Sequence, residues 1–383
     1  MSDAVIVAYG RSAIARAGKG SLVRTHPVDV GAQVLRGVLS RVSALDPGEI
    51  EDVIVGCAIP ETTMGLNPAR NIVLRAGLPF DAAGQTVNRF CASGLQAIAL
   101  ASASIEAGMA DVVVAGGVEH MSSPVLSDDP LYKDRWLAEH TDAYLPMGIT
   151  AERVAATWGV TRQEMDQMAV DSHARATAAR DAGAFAGQIV PVAAVAEDGA
   201  PVEFAVDEGL RPGTNLEALA ALKPAFAPDG LVTAATSSQR SDGAGFAVLM
   251  SSDRAAALGI EPIARLRGFA VAGVDPQYMG IGPVAAVPKV LARTGLGLDD
   301  LDVVELNEAF AAQAIAVMRE LGLDWSRVNT QGGALAMGHP LGATGAVLTA
   351  KALAQLQAGA GRRALITMCI GGGMGAAGVL ELV

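Results

Sequence analysis

The sequence predicts an α/β protein made of two similar halves, on three observations. Short β-branched runs recur between small-residue helical stretches, at 5–8, 53–56, 112–115, 246–250, 303–306, 364–368 and 378–382. Apolar runs of that length, alternating with helices, belong to buried sheets covered by helices. The segment SGLQAIALASASIEAG (93–108) aligns with TGAVLTAKALAQLQAG (344–359) at a constant offset of 251 residues, pairing Gly94 with Gly345 and Ala107-Gly108 with Ala358-Gly359. Each copy then leads into a strand and a glycine cluster, AGG at 115–117 and GGG at 371–373, so the spacing argues for duplication. Finally, 44 glycines against only 4% aromatic residues fit close helix-to-sheet packing built on small side chains.

The elements follow in order. Strands at 5–8, 53–56 and 112–115 with the helix from 93 form a first half, expected to span 1–118 and to resume at 243–261. Between these pieces, 119–242 has longer loops and more charge, and Thr161-Arg-Gln-Glu164 carries the capping-box signature ahead of an amphipathic helix. This segment reads as an inserted lid. The runs at 303–306, 364–368 and 378–382 and the repeat helix from 344 assign 262–383 to the second half.

Composition narrows the function. A chain of 383 residues with 51% hydrophobic content fills more than one core. Its net charge of −12 argues against a nucleic-acid binder, whose footprint is a basic face. Three cysteines at 57, 91 and 369, without CxxC spacing, suit a reducing compartment and neither a disulfide framework nor a zinc site. The N-terminal order of charges is wrong for a secretory signal, so a cytoplasmic location is expected. The longest uncharged window, 329–350, contains five Gly, a Pro, a His and a Gln and reads as buried loop and helix rather than a membrane span.

Three glycine-rich segments carry the candidate chemistry: Cys91 in VNRFCASGLQA, His339 in GGALAMGHPLGATGA, and Cys369 in TMCIGGGMGAAG. A thiol is nucleophilic as thiolate, which a helix N-terminus or a neighbouring imidazole favours. Cys91 falls in a strand-to-helix turn, since Val87 ends a strand and Gly94 onward is helical; the competing reading is a small buried hydrophobe. His339 lies between Gly338 and Pro340, where backbone directs its ring, whereas His26, His120, His140 and His173 read as surface or lining residues. Gly371 follows Cys369 in a run whose bare backbone suits oxyanion donation, with close sheet-to-helix packing as the alternative. Asn307 reads as the N-cap of a helix after the strand DVVEL, or as an amide that orients water.

Taken together, NRFCASGLQA, GGVEHM, the MGITAE stretch, TSSQRSDGA, NEAFAAQ, GGALAMGHPLGATGA and CIGGGMG resemble the thiolase family from end to end and in family order. The resemblance implies duplicated βαβαβαββ halves in α-β-α-β-α layers with a loop domain inserted in the first half. It implies that Cys91 becomes acylated, that His339 activates it, and that Cys369 is the second acid/base. One oxyanion hole would use His339 with a water held by Asn307, the other the N–H groups of Cys91 and Gly371. Coenzyme A would be a co-substrate with no tightly bound cofactor or metal; Ser238 would bond its pantetheine arm and Arg211 its nucleotide end. Phe226, Ala234, Met147 and Phe310 would line the channel. Acyl-CoA thioesters, a homodimer or homotetramer, and a hydratase/dehydrogenase partner subunit are the expected partners.

Some positions depart from the commonest family pattern: Gln331-Gly332-Gly333, Arg11-Ser12-Ala13, Ala218 for a serine near the adenine, and Pro146 where acetyl-specific synthetic members generally carry His. Pro146, His120 and TSSQRSDG point toward the degradative 3-ketoacyl-CoA branch, with a biosynthetic acetoacetyl-CoA enzyme as the alternative. A decarboxylating ketosynthase would pair its cysteine with His-His or His-Asn, which Cys369 argues against. A thiolase-like acyl-CoA binding protein would normally have lost one of Cys91, Asn307, His339 and Cys369.

Overall fold

The computed structural model describes residues 2–125 and 132–383. Twelve strands are seen among them: β1 (Ala4–Arg11), β2 (Ala15–Arg16), β3 (Asp52–Gly56), β4 (Ala83–Val87), β5 (Val112–His120), β6 (Val192–Val195), β7 (Pro201–Phe204), β8 (Ser241–Ser251), β9 (Ala264–Gly273), β10 (Val303–Leu306), β11 (Arg363–Ile370) and β12 (Met374–Leu382). The helices are α1 (Pro27–Leu39), α2 (Pro68–Ala76), α3 (Ser93–Glu106), α4 (Arg135–His140), α5 (Met147–Thr157), α6 (Arg162–Asp181), α7 (Leu216–Ala220), α8 (Ser252–Leu258), α9 (Gly282–Thr294), α10 (Ala311–Leu321), α11 (Ala334–Met337) and α12 (Thr344–Gln355).

The duplication shows in the strand order. The two halves meet at one bridge, Ile6 to Ala264. Outward from it the first half runs β1-β8-β5-β3-β4 and the second β9-β12-β11-β10, and a parallel bridge from Val304 to Val328 then stands where β4 stands in the first. In both halves an antiparallel pair closes the unit, β5 with β8 and β11 with β12. Residues 371–373 suffice to join the second pair, whereas the first is joined through residues 121–240. That long connection contains α4 to α7 and the β6-β7 hairpin. Both flanking strands reach two residues into the segment expected at 119–242, whose residues 126–131 lie outside the described set.

Strand pleating sorts side chains into layers. Val5, Val7, Val53, Val55, Val112 and Val114 pack on α1 and α2, while Ile6, Ile54, Val113 and Ala115 turn inward to α3 and α12. Likewise Leu365, Ala377 and Val379 face α9 and α10, and Ile366, Met368, Ala376 and Leu380 face the same central helix pair. The result is the α-β-α-β-α stack with the two repeat helices in its middle. Their glycines permit the contact: a Cβ on Gly94 would lie 2.9 Å from Ala346 N, and one on Gly345 would lie 2.2 Å from Leu95 N. Equivalent glycines thus face each other's helix starts, which brings the loops before α3 and α12 together.

Of the strands outside the seven apolar runs, two belong to the main sheet's long ladders, and their composition conceals them. β9 is interrupted by Arg265 and Arg267, which reach Glu381 at its edge, and β4 is a half-exposed edge strand of mixed polarity. The inserted segment is tied down by Arg11, fully buried on β1. It forms a two-pronged ion pair with Asp207 at 2.8 and 3.0 Å, bonds Gln188, and lies 5.4 Å from the centre of the Phe185 ring. Removing one partner of such a buried pair strands the other charge, at about 3–5 kcal/mol. No helix among the described residues is long and apolar enough to cross a membrane.

Candidate active site

Cys91 sits in a single 3-10 turn, Phe90–Ala92, between β4 and α3. Phe90 holds a left-handed φ of 42°, a strained conformation for a residue with a side chain. Local bonds impose it. Phe90 N–H donates to Asn88 Oδ1 at 2.9 Å, Arg89 N–H donates to Ser93 Oγ at 2.8 Å, and Ser93 Oγ–H donates to the Phe90 carbonyl at 2.7 Å. The turn aims Cys91 into a cavity at the start of α3. Burial pushes its thiol up to about 11, while the nearby backbone N–H groups of Gly371 and of Cys91 itself pull the other way. Two N–H donors therefore converge where negative charge would develop.

The Gly371 donor comes from the β11-β12 turn, where Gly372 and Gly373 take φ of 79° and 80° in succession. Only glycine adopts that pair without strain. Cys369, at the end of β11, is fully buried, and burial first and the neighbouring Cys91 second push its thiol well above the ordinary range.

His339 follows Gly338, whose φ of 102° is again a glycine conformation. Its backbone N–H reaches the Gln239 carbonyl and Ser241 Oγ, fixing the loop against β8. The ring is clamped on both sides: Nδ1 lies 2.6 Å from Thr344 Oγ1, and Nε2 lies 3.4 Å from Asn307 Nδ2. Since the amide N–H donates to Nε2, the ring proton belongs on Nδ1, where the threonine oxygen accepts it. Burial lowers the imidazole to about 4, so it is neutral at pH 7. A buried carboxylate, Glu119, holds this loop to the first half by accepting from the N–H groups of Gly342 (2.7 Å), Ala58 (2.8 Å) and Ile59 (3.2 Å). It also accepts from the Cys57 thiol at 3.6 Å; burial and that adjacent charge push Cys57 far up, which makes it inert.

Cys91, His339 and Cys369 line one cavity of about 380 Å³. The rest of its wall is largely apolar, including Pro146, Met147, Phe226, Met279, Phe310 and Leu341, with Ser238 and Arg240 among the polar lining. Phe226 packs edge-on to Phe310, their ring centres 6.0 Å apart, and its ring occupies the space a Cβ on Gly148 would take. Ser238 donates its N–H to the Ala309 carbonyl; its hydroxyl has no partner among the described residues.

Several expected positions fall elsewhere. Ala234 is exposed and outside the cavity, and Arg211 lines a different cleft with His173 and Thr177. Asn307 is not a helix cap, because α10 begins at Ala311 with Phe310 as its cap. It is a buried loop residue behind His339, and its Oδ1 has no partner among the described residues. His120 is buried rather than on the surface, bonding Ser123 and the Leu22 carbonyl, while His173, also buried, lines the Arg211 cleft and accepts from Arg211 N–H. Thr344 and Glu119 were not read as part of the site; their only sequence signal is that they stand in the same motifs as the histidine and the AGG strand.

Comparison with known proteins identifies the family. Residues 4–253 match the thiolase N-terminal domain and residues 260–382 the thiolase C-terminal domain. The chain is 48% identical over 391 residues to a 3-ketoacyl-CoA thiolase of Bacillus subtilis, and 42% identical over 394 residues to an acetyl-CoA acetyltransferase of Cupriavidus necator, covering 100% of both chains in each case. The crystal structure of the Bacillus anthracis acetyl-CoA acetyltransferase superposes with a TM-score of 0.93 at 40% identity, covering 100% of this chain and 99% of that one. Two domain matches that together span nearly every residue, and relatives similar from end to end, place this chain in the thiolase family of acyltransferases.

Proposed function

We propose that the chain cleaves 3-ketoacyl-CoA with coenzyme A, releasing acetyl-CoA and an acyl-CoA two carbons shorter, as in fatty-acid β-oxidation. The observation that supports it is the convergence of Cys91, His339 and Cys369 on one largely apolar cavity. Cys91 gives its proton to His339 Nε2 and its sulfur attacks the 3-keto carbon. Both groups rest neutral, so transfer accompanies the arrival of the electrophile and a buried ion pair need not form beforehand. The N–H groups of Cys91 and Gly371 suit one oxyanion, and His339 with a water held by Asn307 the other; loss of one such donor typically costs about 100- to 1,000-fold. The bond between the α-carbon and the attacked carbon breaks, and Cys369 protonates the departing carbanion. Cys369 thiolate then deprotonates coenzyme A, whose sulfur takes the acyl group from Cys91, and the departing Cys91 thiolate regains its proton from His339 Nε2. Ser238 would hold the pantetheine arm, with Met147, Phe226 and Phe310 along it and Arg211 toward the nucleotide.

Coenzyme A acts here as co-substrate, with no resident cofactor. A cytoplasmic homo-oligomer, with or without a hydratase/dehydrogenase partner, belongs to the same proposal. The alternative is Claisen condensation of acetyl-CoA to acetoacetyl-CoA, favoured by relatives named acetyl-CoA acetyltransferase. Chain length separates the two. Pro146 lines the cavity without a polar side chain, and each methylene buried there is worth about 0.8 kcal/mol, or roughly fourfold in binding. Thiolysis kcat/KM should therefore peak at a 3-ketoacyl chain of about six to ten carbons, above acetoacetyl-CoA. Strict preference for acetoacetyl-CoA would reject the degradative reading.

A further inference from the structure

Among the described residues the cavity wall contains one side chain with a fixed charge, Arg240, the others being apolar or neutral. Its main chain runs beside the site: Arg240 is bridged to His339, and the preceding carbonyl, that of Gln239, accepts His339 N–H. Its side chain is exposed, and its one bond among the described residues runs from a guanidinium Nη2–H to the Met121 carbonyl at 2.9 Å. The remaining guanidinium N–H groups have no partner there, and no carboxylate among the described residues pairs with it. Other arginines of this chain are committed differently. Arg11, Arg162, Arg254 and Arg363 all meet a carboxylate within 2.8 Å or less.

A guanidinium with unused N–H groups beside an apolar wall suits an anion, because a charge-assisted hydrogen bond is stronger than a neutral one and the planar fork fits two oxygens. The net charge of −12 makes such a residue a local attractor in a repelling surface. We propose that Arg240 is a specificity-determining residue that receives an anionic group of the acyl-CoA substrate. This rests on the acyl-CoA reading above. Carboxylate and phosphate oxygens offer the same chemistry, so the anion is either a carboxylate ending the acyl chain or a phosphate of coenzyme A.

Three substrates separate these sources: 3-ketooctanoyl-CoA, the chain of equal length ending in a carboxylate on CoA, and 3-ketooctanoyl-pantetheine, which has no phosphate. Each is assayed with wild type, with R240Q, which keeps an amide donor for the Met121 carbonyl but no charge, and with R240K, which keeps the charge. R240Q should lose kcat/KM, mainly through KM, by about 10- to 100-fold more on an anionic substrate than on the pantetheine ester, with partial recovery in R240K. A larger loss on the carboxylate chain than on 3-ketooctanoyl-CoA assigns the anion to the acyl tail. Equal losses on the two CoA esters, exceeding that on pantetheine, assign it to a phosphate. Equal losses on all three substrates mean that Arg240 only braces Met121 and overturn the proposal, as does no loss on any. Wild-type inactivity on all three would overturn the thiolysis reading and this role with it, whereas activity without an Arg240-dependent difference overturns this role alone.

Discussion

Thr344→Val isolates the orientation of His339 from its presence. The substitution exchanges the hydroxyl that meets Nδ1 at 2.6 Å for a methyl of similar size, at a position 3% exposed. A buried donor left without its acceptor costs about 1–3 kcal/mol. The ring has two ways to respond. It can keep Nδ1–H unpaired, and fold stability then falls by about that amount. Or it can shift its proton to Nε2 and turn, and that nitrogen no longer accepts from Cys91. In the second case the same energy, read as the lost preference for the working tautomer, slows proton removal from Cys91 by about 10- to 100-fold. Alkylation by iodoacetamide at neutral pH, with adducts located by mass spectrometry, reads the Cys91 rate directly, and urea unfolding of the same sample reads stability. Thr344→Ser retains the oxygen and should restore both. Wild-type alkylation of Cys91 in Thr344→Val, with unchanged stability, would refute the role of Thr344 in holding the ring.

Three further outcomes are expected. Incubation with acetyl-CoA should acetylate Cys91 and not Cys57, because Cys57 is held protonated by burial and Glu119; Cys369→Ala should retain that acylation while losing carbon–carbon bond cleavage and α-proton exchange. Acetylation of Cys57 instead would remove Cys91 from the nucleophile's role. Gly345→Ala should lower stability by about 1–3 kcal/mol in urea or thermal melts, since the new Cβ would meet Leu95 N at 2.2 Å, and turnover should fall with it as the loops before α3 and α12 separate. Unchanged melting would mean that the central helices yield freely. His173 is lowered from 6.5 to about 4 by burial and by Arg211, so between those values the unfolded chain binds a proton that the folded chain does not. The stability of wild type minus that of His173→Gln should be constant above about pH 6.5 and decline as pH falls toward about 4; a difference flat across that window would contradict a buried neutral imidazole.

The sequence by itself determined the α/β class and the duplication, and it singled out three candidate reactive groups, Cys91, His339 and Cys369, that line one cavity. Each rests on a local signal: short β-branched runs bounded by Asp, Asn or Gly for strands such as β3 and β10, equal glycine spacing for α3 and α12, and cysteine or histidine beside residues that free the backbone. Thr161 and Glu164 even specified the start of α6 to the residue, because a capping box needs only four neighbours, and both of its bonds are present. Tertiary structure decided what depends on partners distant in the chain. β9 pairs in spite of its arginines because Glu381 on β12 lies beside them, and β4 pairs in spite of its polarity because β3 offers an edge. Asn307 reads from its neighbours equally as a cap or as an amide that orients water; its position behind His339 is set by a ring thirty-two residues away. Thr344 and Glu119 are ordinary residues in sequence; only folding brings one to Nδ1 and the other onto three backbone N–H groups from both halves. Local propensity is readable from neighbours along the chain. A hydrogen bond that closes between the two halves is not, since its strength depends on a geometry that exists only once both have packed.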